Sequence, residues 1–593
     1  MMSNLHVVDQ ILNNGSLGEI NAEVSRLEKL NLDMPTVSIH IIRNYTVEPL
    51  VPFLKLQLYK RGLVAKISVG DYDVLEQSFI APILDKNVVN ADIVVISLHL
   101  DTFDIRNREI FWQSSEAISR LSKLLDMIDG KSRGVILINT FLRPQYSDVG
   151  ITSSLLKNSR AHQVDKLNRI IENCVAANKE QFFLVDWNML AAHLGAFETY
   201  DHRFWHTSRS PFKRGFLSVY GAEIAKVAAA LKGNNKKVLA LDCDNTLWGG
   251  IVGEDGLSGI KLDPYEYPGN IYYAFQRNVL NLMSRGVMIV LNSKNNETDV
   301  FAVLEKHPHC LLRREHLSAW EINWSDKVSN LKVLAAKLNV SVDSFVFVDD
   351  SPMECNLVRE YLPTINVIQV PAKIYDYPDI LLADGWFDTL FFSSEDKTRT
   401  EMYQQELLRK QEAAQFESIA DYLASLQIVA TIHLVRPNEV ARIAQLTQKT
   451  NQFNLTTLRL SEEELDRRVK NESFAVYTMR AKDRFGDYGL TALLVMCEIN
   501  NKIVIENFLM SCRILGRNLE YRFVEYCLGR ATQNWGIVDV TACYIPTAKN
   551  SQVENFWGNL GFQLDQDTDT RQYSARYDDL CFPLTKYIEI TEG

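Results

Sequence analysis

VLALDCDNTLWGG, residues 238–250, is the stretch that decides the fold. Its unbroken apolar run, Val238–Leu241, describes a strand covered on both faces, as in a parallel sheet flanked by helices. The run ends in two acids one residue apart, Asp242 and Asp244, with the hydroxyl of Thr246 two positions on and Gly249-Gly250 turning the chain. Ligands bind outside the carboxyl ends of strands in open α/β sheets, so acids placed here stand where chemistry is done.

Working outward, two more strands of the same kind follow, VMIVLNS (287–293) and FVFVDD (345–350). Each ends in a polar group, Ser293 in the first and Asp349-Asp350 in the second, and Lys327 opens the helical stretch between them. A carboxylate such as Asp242 can attack phosphorus and form an aspartyl-phosphate. Asp244 can protonate the leaving oxygen and deprotonate the incoming nucleophile. Ser293 can donate to a phosphoryl oxygen, Lys327 supplies a fixed cation, and Thr246 helps fix the loop. Asp242, Asp244, Asp349 and Asp350 offer the hard oxygens that Mg2+ prefers, with Asp349 the first choice as direct ligand and Asp350 a second ligand or a residue behind it. A lone pair of acids at a strand end is as often a helix cap, and a lone lysine is usually a solvated surface group. The order acid-x-acid-x-Thr, strand-Ser, Lys, strand-Asp-Asp is what points to phosphoryl transfer.

On the amino-terminal side, residues 1–220 alternate apolar strands (37–42, 65–70, 91–98, 134–139, 181–187) with amphipathic stretches (114–127, 164–178). That alternation predicts a doubly wound parallel sheet. Gly233-Asn234-Asn235 marks the turn into the second α/β domain, 236–381. Residues 382–426 are polar and helical, with Tyr403, Leu407, Phe416, Ile419 and Leu423 on one face, and read as a connecting helix pair. Longer strands at 473–480, 490–496, 502–510 and 538–545, with helices at 519–533 and 551–560, make 427–593 a mixed α/β domain. The fold class expected is therefore multidomain α/β.

The 593 residues carry a net charge of −11, which gives no electrostatic footing for nucleic acid. No apolar run reaches the roughly 18 residues that span a bilayer, so no membrane segment is expected. Nine cysteines are scattered without CxxC pairs, and the start, MMSNLHVVDQILNN, lacks the pattern of a secretory leader. Both features fit reduced thiols and a cytoplasmic location.

The central motifs resemble those of the haloacid-dehalogenase superfamily. In LDCDNTLWGGIVGEDG, LNSKNNE, INWSDKVSNL and FVFVDDSPMEC the chain is similar to the FkbH-like family, and the likeness continues in AQLTQKTNQFNLTT, DRFGDYGL and FLMSCRILGRN. The resemblance implies a glyceryl transferase. Its substrate would be a phosphorylated three-carbon compound, 1,3-bisphosphoglycerate, and its partner an acyl carrier protein whose phosphopantetheine thiol receives the acyl group. It also implies a thiol at the active site, Cys243. Against that stands its reading as a small buried strand residue, with two carboxylates that would raise its pKa. Cys512 is a second candidate thiol and Glu506 a candidate base, each more often simply a strand residue.

The forty or so residues before the second strand leave no room for a large cap, which suits a bulky partner. Asn295 and Asn296 either contact substrate hydroxyls or cap the following helix. The last domain resembles the Gcn5-related acetyltransferase fold, whose pyrophosphate loop is matched here by Arg513 and Gly516; Asn518 replaces the final small residue and would crowd a pyrophosphate. The first domain resembles SGNH hydrolases by topology only. It has no serine motif after its first strand, and Asp186 with His202 or His206 makes only a partial hydrolytic set, so a scaffold or docking role is expected. Three alternatives remain: a phosphatase of a small phosphorylated metabolite, an acyl-CoA-dependent acyltransferase, and a non-catalytic assembly protein.

Overall fold

The computed structural model describes residues 2–30, 34–80, 86–128, 130–390, 418–450, 453–511, 514–547, 550–583 and 585–593, together with Arg409, Glu412 and Phe416. It divides into two compact units, 1–235 with 388–390, and 236–387 with 391–593. Most of the connecting helix pair expected at 382–426 lies outside the described residues, which there are 382–390, Arg409, Glu412, Phe416 and 418–426, the last stretch holding the helix Ile419–Ser425.

In the first unit, β1 (Thr36–Arg43), β2 (Val64–Tyr72), β3 (Ile93–Ser97), β4 (Val135–Asn139) and β5 (Phe182–Val185) form one parallel sheet in the order β2-β1-β3-β4-β5. Alternation along the strands divides the core between the two faces. Ile39, Ile41, Val95 and Leu137 pack on one side, and Val94, Ile96, Ile136 and Ile138 on the other.

In the second unit, β6 (Val238–Leu241), β7 (Met288–Ser293), β8 (Leu317–Ile322), β9 (Phe345–Asp349) and β10 (Asn366–Gln369) are also parallel, in the order β10-β9-β6-β7-β8. Leu239, Leu241, Leu291 and Val348 face one core cluster, and Val238, Ala240, Val290 and Phe347 the other. Because β6 lies between β9 and β7, the three strands whose ends carry the acids and Ser293 are direct neighbours.

The remaining strands build a mixed sheet: β11 (Ile428–Leu434), β12 (Phe453–Asn454), β13 (Phe474–Asp483), β14 (Gly486–Ile499), β15 (Lys502–Met510), β16 (Asp539–Tyr544), β17 (Gln563–Gln566), β18 (Arg571–Arg576) and β19 (Ile588–Glu592). β15 and β16 run parallel but pair only over Ile503–Ile505, after which β15 pairs with β12 instead. Among the described residues no helix is long and apolar enough to cross a membrane.

Candidate active site

Asp242 follows β6, and its backbone N–H bonds to the carbonyl of Val348 on β9 (3.0 Å), which sets it beside the end of that strand. Lys327 opens the helix Lys327–Leu338, capped by Asp326, whose carboxylate accepts from Ser329 N (2.8 Å). The Asn292 amide donates to the Lys327 carbonyl (3.0 Å) and ties that helix start to β7. Lys327 is only 3% exposed. Its Nζ lies 2.8 Å from Asp242 Oδ1 and is paired also with Asp349 Oδ2.

Asp242, Asp349 and Asp350 each present a carboxylate oxygen within 4.8 Å of the others. Three carboxylates against one lysine leave an excess of negative charge in a site that is mostly buried. Burial first, and then the charge of Asp242, raise the carboxyls of both Asp349 and Asp350, and Lys327 opposes the rise. Lys327 itself is raised: the pull of Asp242 and Asp349 outweighs its burial, the largest single influence, which acts the other way. Hard oxygens, uncompensated charge and this spacing fit Mg2+.

Asp244, expected among the metal ligands, stands outside this trio. Its Oδ1 accepts from Trp248 Nε1 (2.9 Å) and Val252 N (3.0 Å), and its Oδ2 from Asn295 Nδ2 (2.8 Å). Three donors fix the carboxylate, while burial raises its pKa against all three of them. The turn that holds it depends on Asn245, a non-glycine residue at φ 53° whose side chain accepts from Gly250 N (2.9 Å). Asn295 thus takes a role that neither expectation for it included, that of orienting the acid. Asn296 precedes the helix Glu297–Lys306 and makes no side-chain cap bond to its backbone; it bonds instead to Asp299 and Trp324. The signal for these partners was the Asn-rich LNSKNNE, but nothing in a linear sequence says which amide meets which acid.

Of the two readings of Cys243, active-site thiol or buried strand residue, the structure shows the burial. The side chain is fully buried in the apolar cluster with Leu239, Leu241, Leu247 and Trp248. Burial, followed by the neighbouring Asp242, pushes its thiol well above the usual range, although a hydrogen bond with Ser293 works in the other direction. The physical reason is strand alternation: the residue between two acids at a strand end turns to the core. Ser293 is buried beside it. Thr246 is also buried, its carbonyl bonded by Tyr377 (3.0 Å) and its own hydroxyl without a partner.

In the mixed sheet, Arg513 and Cys512 lie outside the described residues. Gly516 has φ 78° with open space where a Cβ would stand. Asn518, also at positive φ, turns its amide to the Tyr587 hydroxyl (2.8 Å). Glu506 is paired with Arg468 (2.9 Å).

No family model matches the chain, and no curated protein matches it. Among solved structures, the chain is similar to the N-terminal part of the protein BF1531 from Bacteroides fragilis, which contains a phosphatase domain and is complexed with Mg. The identity is 25%, the TM-score 0.57, and the match covers 62% of this chain and 98% of that one. The ribosomal-protein-S18-alanine N-acetyltransferase from Escherichia coli matches at 11% identity over 25% of this chain and 94% of its own, with a TM-score of 0.20. A spermidine N-acetyltransferase from Vibrio cholerae, in complex with CoA and spermine, matches at 10% identity over 25% and 96%, again at 0.20. Scores this low carry no argument. The chain is a multidomain α/β protein with a haloacid-dehalogenase-like phosphatase domain.

Proposed function

We propose that the chain is a Mg2+-dependent phosphoryl-transfer enzyme of the FkbH-like kind. It would pass the acyl group of 1,3-bisphosphoglycerate to a thiol, the acyl-linked phosphate leaving as inorganic phosphate, hydrolyse the remaining phosphate ester at the central site, and deliver the glyceryl group as a thioester to an acyl carrier protein. The observation that carries the phosphoryl half is the convergence of Asp242, Lys327, Asp349 and Asp350 at adjacent strand ends. Asp242 is the nucleophile that receives the phosphoryl group. Asp244, held by Trp248, Val252 and Asn295, gives a proton to the leaving oxygen and takes one from the water that follows. Lys327 pairs with Asp242 and holds it in place. Asp242, Asp349 and Asp350 would hold Mg2+, which would supply positive charge for the phosphoryl oxygens.

The acyl half rests on the motif resemblance; where β15 parts from β16, β12 and the Leu455 that follows it bridge the two, the Leu455 N–H donating to the Phe508 carbonyl (3.0 Å) and its carbonyl accepting from Ile545 N (2.8 Å). Since Cys243 is buried and protonated, the receiving thiol in this reading is Cys512 or the carrier's own. Intact-mass analysis after incubation with 1,3-bisphosphoglycerate, Mg2+ and carrier should show a glyceryl thioester. Free glycerate or phosphoglycerate as sole products would reject the acyl half.

The burial of Cys243 favours a second reading, a phosphatase of a small phosphorylated metabolite. That reading expects full turnover without a carrier and indifference to Cys243→Ser. An acyl-CoA acyltransferase would require CoA binding, which calorimetry measures.

A further inference from the structure

The order β2-β1-β3-β4-β5 makes the chain leave β1 for one side of the sheet and return on the other, so β1 and β3 flank a topological switch point. The crevice at the carboxyl ends of such a pair is the favoured ligand site of an open α/β sheet. Asn44 follows β1 here and His99 follows β3. The Asn44 amide accepts from His99 N (2.7 Å) and donates to the His99 carbonyl (3.0 Å), stitching the two loops together. With its amide so used, the residue after β1 is no nucleophile. Asp186 caps the helix Trp187–Leu194 and accepts from Thr140 (3.1 Å), so it too is engaged in structure.

What remains is a set of binding groups. His99 is 7% exposed; its Nε2 meets the Tyr200 hydroxyl (3.3 Å), its Nδ1 is buried without a partner, and its ring lies 4.3 Å from that of Trp205. Burial lowers its pKa to about 4, so the imidazole is neutral at physiological pH. Arg160, in the loop-to-helix junction after β4, bonds through Nη2 to Asp101 (3.1 Å) and to Asn107, while its Nε is buried and unpartnered. Arg108 also pairs with Asp101 (2.9 Å), and Asp148 takes the backbone N–H of Arg160 (3.0 Å). Arg209, which acts electrostatically on both His99 and Tyr200, sits at φ 55° over the Trp205 ring. Left-handed backbone at a non-glycine residue is a cost that tends to be kept at binding sites. Arg108, Arg160 and Arg209 against Asp101 and Asp148 leave a local surplus of positive charge in a chain of net charge −11. The loops after β3, β4 and β5 also expose Ile105, Ile110, Phe111, Ile151, Leu155 and Phe197. Apolar side chains on that edge suit an organic ligand better than a bare ion.

We propose that the carboxyl edge of the first sheet binds a small organic anion, with a carboxylate or phosphate held by His99, Arg160 and Tyr200 and an apolar portion lying on the loops around them. The site binds and does no covalent chemistry.

Calorimetry on the full chain with hexyl phosphate, hexanoate and neutral hexanol tests it. At least one anion should bind saturably and hexanol should not, and the better of the two identifies the headgroup. Arg160→Gln should weaken binding by at least about tenfold, about 1.4 kcal/mol. Tyr200→Phe, which keeps the ring, should weaken it too and covers the case in which Arg160→Gln fails to fold. Asp242→Asn should leave this binding unchanged, which separates it from occupancy of the phosphatase centre. Phosphatase turnover should be untouched in Arg160→Gln. Absence of binding by both anions, equal binding of hexanol, or loss of binding in Asp242→Asn but not in Tyr200→Phe would overturn the proposal.

Discussion

At the scale of single residues, the site depends on charges that burial would otherwise penalise. Lys327 is the clearest case: removing one member of a buried, paired set leaves the others uncompensated. Lys327→Met should therefore destabilise the metal-free protein by roughly 3–5 kcal/mol, read by chemical denaturation, with part of the loss restored by Mg2+. Asp242→Asn should lower kcat by about a thousandfold or more, near 4 kcal/mol of barrier, while leaving the fold intact by circular dichroism. Asn295 acts through Asp244 as a positioning residue. Its hydrogen bond lowers the pKa of that acid, so Asn295→Ala should raise it further and move the alkaline limb of the kcat profile to higher pH. An unmoved limb would assign Asn295 to packing alone. Cys243 should resist alkylation in the folded protein, whereas the exposed Cys581 reacts.

At the scale of elements, the ends of β6 and β9 set the pH response. Asp349 and Asp350 have raised carboxyl pKa values in the metal-free site, so the native state holds protons that the unfolded chain has already released. Their contribution to stability is thus greatest in mild acid and falls as pH rises. A divalent cation needs the ionised carboxylates and reverses that trend. Mg2+ should therefore raise the melting temperature markedly at pH 8 and little at pH 5, and scanning calorimetry at the two pH values checks both signs. The strands themselves were largely legible. Residues 238–250 and 345–350 announced β6 and β9 because unbroken apolar runs ending in acids have few other uses. β8 and β10 were missed, since LSAWEI interrupts its apolar residues with polar ones and NVIQ offers only two apolar residues in a row. The helix expected at 551–560 shrinks to Phe556–Asn559, preceded by a single tight turn at Ser551–Val553.

At the scale of the whole molecule, the division at residue 235 separates the proposed anion site in the first unit from the phosphatase centre in the second. Each sheet carries core on both faces from its own strands and helices. A fragment spanning 236–593 should accordingly keep the Mg2+-dependent rise in melting temperature, and its loss would mean that the first unit contributes to that centre.

The sequence by itself determined the multidomain α/β class, two parallel sheets and which acids and lysine stand at the ends of the central strands. Those are local properties: periodicity, apolar run length and the residue that ends each strand. Only the tertiary structure decided that Asp244 stands apart from the carboxylate trio, that Asn295 holds it, and that Cys243 faces the core. It also decided that His99, Arg160 and Tyr200 share one edge of the first sheet. Such facts depend on which side of a strand end each side chain leaves, and on which loops the strand order brings together. Neither is written in the spacing of residues along the chain.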